Sequence, residues 1–154
     1  PHDPLVSIKS TCYASHQLGL ELAQRRGADE GLWLNSRGHL AEGCTSNLFV
    51  VRRRRVFTPS PREGILPGVV RALAIRAVRD LGLPVHETRV RLKKLRDAEE
   101  AFLTSSLSAV RPLVSVDGRA VGRGLPGPVT RAVASRVRSM RQPGSDGVRL
   151  SETT

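Results

Sequence analysis

Residues 42–49 read Glu42-Gly43-Cys44-Thr45-Ser46-Asn47-Leu48-Phe49, and this stretch decides the fold. A carboxylate closes one extended segment. A glycine and three small residues turn the chain. Asn47 then opens a strongly apolar, β-prone run that reaches Val51. Arg52-Arg53-Arg54-Arg55 reads as a solvated hairpin tip, and Val56-Phe57-Thr58 returns beside the first strand.

Working upstream, His39 starts the strand that ends at Glu42, after a turn at Asn35-Ser36-Arg37-Gly38. Gly31-Leu32-Trp33-Leu34 is a short apolar strand. Thr11 to Arg26 predicts a helix, stopped by Gly27. Residues 1–8 read as an extended linker, because Pro1 and Pro4 block helix. Downstream, residues 59–67 carry three prolines and a glycine and form a loop. Gly68 opens a largely apolar helix that Gly82 closes. Pro84 to Val90 is a strand and Lys93 to Asp97 a helical turn. Phe102-Leu103 ends another strand, followed by a polar loop at Thr104-Ser105-Ser106. Asp117-Gly118 marks a hairpin turn. Pro128 to Met140 is a last helix with proline at its first position. Residues 141–154 are expected to be a flexible tail. Strands and helices thus mix, with several hairpins. The fold class is α/β of the α+β mixed kind, not doubly wound.

Composition narrows the function. The chain has 154 residues, 39% of them hydrophobic, enough for one domain with a core. No apolar run approaches the roughly 20 residues of a membrane-spanning helix. The net charge is +11, and only Lys9, Lys93 and Lys94 are lysines. The arginines are scattered and aromatics make up 3%, so a nucleic-acid surface of clustered charge and stacking rings is not expected. Cys12, Cys44 and the four histidines show no metal-ligand spacing, and no metal is expected. A reduced, cytoplasmic setting fits two unpaired cysteines. The start at Pro1 rather than Met suggests a piece of a longer protein.

The residues that can carry chemistry stand at the ends of strands and helices. Lys9 follows an apolar extended segment, Leu5 to Ile8. Glu42 stands before the small-residue turn. Gly68 precedes a helix N-terminus, where backbone N–H groups point outward. Thr104 to Ser106 offers hydroxyls. Each has a plainer reading: a surface lysine, a strand-end carboxylate, ordinary first-turn residues, a turn-capping serine. Asn47 reads as a residue that fixes the local turn, and Cys44 as a small buried side chain.

The order of these motifs resembles one family. Glu42 to Phe49 resembles the EGxxSNLF signature of class IV aminotransferases, the fold-type IV pyridoxal-phosphate (PLP) enzymes. Thr58-Pro59, then Gly64-Ile65-Leu66-Pro67-Gly68-Val69-Val70-Arg71, is similar to the family's TP…LPGITR run. Ala98 to Ser106 resembles ADEVFxTGT, and Ile8-Lys9-Ser10 with Gly27-Ala28-Asp29-Glu30 resembles IKS…GADE. Asp117-Gly118 and Gly127-Pro128-Val129-Thr130 match its closing segment.

The resemblance implies the larger C-terminal domain of such an enzyme, residues 9–140, a mixed sheet or pseudo-barrel with flanking helices. It implies pyridoxal 5'-phosphate between this domain and an N-terminal domain, with Lys9 holding the cofactor as a Schiff base and moving the α-proton. Glu42 would face the pyridine nitrogen. The amides of Val69 and Val70, the Ser106 hydroxyl and the nearby Leu107 amide would hold the phosphate. It implies a homodimer acting on an amino acid and a 2-oxo acid. The alternatives are 4-amino-4-deoxychorismate lyase, which releases pyruvate and 4-aminobenzoate, and a non-catalytic orphan domain. Three departures stand out. Val70 replaces a threonine, Leu107 and Ala109 replace a small residue and a glutamate, and the N-terminal domain is absent from the sequence. Leu107 points toward the lyase branch.

Overall fold

The structure, a computed structural model, describes residues 14–141. The expected linker 1–8, Lys9 and the tail after Arg141 lie outside the described residues.

The central feature is a five-stranded sheet in the order β5-β4-β3-β7-β8. Its strands are β3 (Asn47–Arg52), β4 (Arg55–Pro59), β5 (Val85–Thr88), β7 (Glu100–Ser105) and β8 (Ala109–Pro112). The inner strands β3 and β7 are buried on both faces and are mostly apolar, as strands covered on both sides are. Alternation then sorts the side chains. Phe49, Val51 and Phe102 face α2 (Val69–Asp80) and α4 (Pro128–Arg141), with Val70, Ala74, Val78, Val133 and Val137. Leu48, Val50, Ala101 and Leu103 face the opposite way and pack with Leu40, Val90 and Leu95. Phe49 and Phe102 are register partners whose rings stack with centroids 4.7 Å apart.

Leu40 and Val90 belong to a second sheet, β1-β2-β6, made of β1 (Leu32–Leu34), β2 (His39–Gly43) and β6 (Val90–Arg91). All of β2 is buried between its neighbours. Helix α1 (Ala14–Arg25) precedes it, α3 (Leu92–Arg96) follows β6, and the hairpin β9–β10 (Ser115–Val116, Arg119–Ala120) turns at Asp117 and Gly118, both at positive φ. The mixed α/β class is therefore as expected.

Three local expectations change. The expected strand Pro84–Val90 is two strands. Residues 85–88 pair parallel with β4 after the α2 crossover, and the chain then leaves that sheet so that Val90 pairs with Leu40 in the other. Thr104 and Ser105 belong to β7 rather than to a loop, because they continue its ladder opposite Asn47 and β8. Strand β8 itself carries no turn signal at its start, and Ala109 enters it at φ 55°. The last helix runs one residue past Met140, to Arg141.

Candidate active site

Glu42 sits near the end of β2, 7% exposed. The turn that follows is closed by a hydrogen bond from Gly43 N to Ser46 O of 2.6 Å. The turn brings Asn47 back beside Glu42. Asn47 Nδ2 donates to Glu42 Oε2 at 3.2 Å and to the Leu66 carbonyl at 2.8 Å. The Leu66 amide donates to the same Oε2 at 2.9 Å. Oε1 accepts no hydrogen bond among the described residues, and His16 Nε2 from α1 lies 3.7 Å from it. Burial pushes the Glu42 carboxyl up from 4.5 to about 7, against the downward pull of the Leu66 amide.

The loop that supplies Leu66 is pinned from behind. Glu63 is buried and takes hydrogen bonds from Asn35 Nδ2 at 2.9 Å and from His39 Nδ1 at 3.0 Å. Burial raises its pKa, but His39, Asn35 and the Arg37 charge outweigh that and hold it below the ordinary value. Leu66 and Pro67 then deliver the chain to Gly68, the N-cap of α2, which has no side-chain cap. Its φ of −64° is open to any residue, so conformation does not require glycine. Space does, because a Cβ there would overlap Asn47 Oδ1. The uncapped amides of the first turn of α2 leave a partial positive charge at this point.

Glu42, Val69, Val70, Ser106 and Leu107 all line one pocket of about 210 Å³. The structure thus brings together every expected site residue that it describes. Val69 and Leu107 are 74% and 97% exposed. Val70 turns its side chain into the helix-side core. Ser106 is held through its carbonyl by Arg141 Nη2 at 2.8 Å.

The lining also includes His16, Thr45, Ser46 and Thr104, none of which the sequence reading assigned to the cofactor. Thr104 Oγ1 is buried with no hydrogen-bond partner. Its signal was alternation. Glu100, Phe102 and Thr104 share one face of β7, and Thr104 pairs with Asn47 beneath the start of α2. Among the described residues no group of His, Cys, Asp and Glu could hold a metal, and no helix is long and apolar enough to cross a membrane.

A buried acid and an uncapped helix N-terminus lining one pocket are groups that a phosphorylated heteroaromatic cofactor can use. The sequence matches the family described as amino-transferase class IV over residues 1–116, and the chain belongs to that family. It is 37% identical over 120 residues to the "probable branched-chain-amino-acid aminotransferase" of Aquifex aeolicus, covering 77% of this chain and 39% of that one. The branched-chain amino acid aminotransferase of Thermobaculum terrenum, solved in its PLP-form, superposes with a TM-score of 0.84 at 35% identity. That match covers 87% of this chain and 44% of that one. A Legionella pneumophila structure named for 4-amino-4-deoxychorismate lyase gives 0.84 at 29% identity, covering 89% and 50%. The chain therefore spans half or less of the length of each of these relatives.

Proposed function

We propose that this chain is the cofactor-binding half of a PLP-dependent amino-acid aminotransferase of class IV, with Lys9 as the lysine that carries the cofactor. The observation that carries the reading is one pocket lined by both the buried Glu42 and the uncapped start of α2.

The residues present fit the cofactor. Glu42 Oε2 is fixed from behind while Oε1 takes no hydrogen bond from the described residues and has His16 Nε2 at 3.7 Å, which suits a carboxyl that meets a ring nitrogen. Its pKa of about 7 leaves it able to give or keep a proton near neutrality. The amides of Val69 and Val70, with Ser106 and the Leu107 amide, supply donors for a phosphate, and the buried unpartnered Thr104 hydroxyl adds a polar atom on that side. Bound there, PLP supplies an electron-withdrawing ring that acidifies the α-proton of an amino substrate. Lys9 would hold the cofactor and move that proton, Glu42 would keep a proton at the ring nitrogen, and the first turn of α2 would orient the phosphate. Matching of the family over residues 1–116, which include Lys9, supports its assignment.

The exposed apolar side chains of Leu18, Leu22 and Leu34 support a homodimer that includes an N-terminal half covering this face. The setting we propose is the cytoplasm. A second reading, 4-amino-4-deoxychorismate lyase, is favoured by Leu107 and by the likeness to the Legionella structure.

The test is direct. The protein loaded with PLP should absorb in the visible range, and borohydride reduction followed by peptide mapping should find the cofactor on Lys9. Lys9→Ala should abolish both. Label on another lysine would refute the assignment. Amine transfer from a branched-chain amino acid to a 2-oxo acid, without pyruvate release from aminodeoxychorismate, supports the aminotransferase; the reverse supports the lyase.

A further inference from the structure

Glu30 lies just before β1, behind the turn that follows Glu42, and is not itself part of the pocket lining. Its Oε2 receives two hydroxyls, Thr45 Oγ1 at 2.8 Å and Ser46 Oγ at 3.1 Å. The backbone ties the same two segments together, with Cys44 N donating to the Gly31 carbonyl at 3.0 Å. The contact is close enough to dictate neighbouring residues. A Cβ on Gly43 would overlap Ser46 Oγ and come within 3.2 Å of the Glu30 carboxyl carbon, and one on Gly31 would lie 2.9 Å from Cys44 Sγ.

The chemistry of this contact has a direction. A carboxylate only accepts hydrogen bonds, so both hydroxyls must donate to it. A hydroxyl has one proton. Once that proton is committed to Glu30, Thr45 and Ser46 can only accept from anything else, and both line the pocket. The negative charge behind them adds to this. Burial, and after it the Glu30 charge, raises the pKa of Cys44, which lines the same wall. The start of α2, which also lines the pocket, has donors and a partial positive charge.

A purely structural tie would not need an anion. Glu30 Oε1 is buried with no hydrogen-bond partner, a cost that a side chain with a single polar atom would avoid.

We propose that Glu30 is a positioning residue that fixes the Thr45 and Ser46 hydroxyls as acceptors, so that this wall receives the ammonium end of an amino substrate. This rests on the aminotransferase reading above and adds to it the wall at which the amine enters. A 2-oxo acid has no such donor and gains nothing from the wall. Glu30 therefore separates the two substrates of one reaction.

The test is Glu30→Ala in the PLP-loaded enzyme, beside Glu30→Gln as a control whose amide oxygen can still accept both hydroxyls. Alanine removes the acceptor, so the Thr45 and Ser46 hydroxyls are free to turn their protons into the pocket. The KM for the amino donor should rise about tenfold, the worth of a charge-assisted hydrogen bond, with the KM for the 2-oxo acid unchanged. Thr45→Val should give a similar selective rise, and the double variant should be no worse than the poorer single one. Melting curves of each variant identify any that fails to fold. Equal changes in both KM values, or no change in either, would overturn the proposal while leaving the aminotransferase reading intact. A wild-type enzyme that transfers no amine would overturn both.

Discussion

Asn47 Nδ2 bonds both Glu42 Oε2 and the Leu66 carbonyl, so one side-chain amide ties the acid of the pocket to the segment that leads into α2. Glu42 and the entry to α2 are thereby held at a fixed distance. Asn47→Ala would remove both bonds and leave the Leu66 carbonyl without its donor. The expected loss is about 1–3 kcal/mol in folding stability, read from urea unfolding. PLP affinity should fall by about tenfold or more, because Glu42 loses one of the two donors that orient it. Asn47→Asp should be worse than alanine, since it sets a second carboxylate against Glu42. An alanine variant with unchanged affinity would show that the Leu66 amide alone suffices.

Gly68 depends on the same side chain. Its φ of −64° suits any residue, so Gly68→Ala should cost little on backbone grounds. The overlap with Asn47 Oδ1 predicts a loss of about 1–3 kcal/mol instead. The two effects separate in a double-mutant cycle. In an Asn47→Ala background the overlap is gone, and Gly68→Ala should be close to neutral. Additive losses would show that the glycine is required for some other reason.

Glu100 holds the other helix of this face. It is 7% exposed, and its carboxylate accepts from Val129 N at 3.0 Å and from Thr130 N and Oγ1, both at 2.7 Å. It acts as a cap for α4 supplied from β7, in a helix whose proline start lacks one N–H. Glu100→Ala should lower stability by about 2–3 kcal/mol, since three donors lose a charged acceptor. Glu100→Gln should cost less, because the amide oxygen still accepts. Both should leave PLP affinity per folded molecule unchanged, which separates this cap from the pocket.

Much of this architecture was legible because it follows from local rules. The small residues after Glu42, the apolar run of β3, the prolines before Gly68 and the Asp117-Gly118 turn each fix their own geometry, and motif order placed Glu42, Val69, Val70, Ser106 and Leu107 at one site. What stayed hidden depends on contacts between distant segments. Nothing local marks Arg89 as the point where the chain changes sheets, since that follows from Val90 pairing with Leu40. Thr104 read as loop because its strand partner, Asn47, is far away in sequence. His16 carried no spacing signal, and only the packing of α1 sets it near Glu42. Gly68 was read as a helix start, whereas the structure shows that it is glycine because Asn47 fills the space of its missing side chain.

Glu42 makes the stability of the cofactor-free protein depend on pH. Its carboxyl titrates at about 7 in the folded state, against an ordinary value of 4.5, because burial disfavours the charge. Between these values the native state keeps a proton that the unfolded chain has released, so stability falls as pH rises. The contribution is fully present below about pH 4.5 and is lost as pH passes through 7. At about 1.4 kcal/mol per pH unit over that interval, the loss is at most about 3.5 kcal/mol. Urea midpoints at pH 5 and pH 8 should show it. Glu42→Gln should flatten the dependence, since an amide has no proton to release. Saturating PLP should flatten it too, because a protonated ring nitrogen beside the carboxyl favours its charged form. If PLP leaves the slope untouched while Glu42→Gln removes it, Glu42 titrates as described but does not meet the ring, and its cofactor role fails.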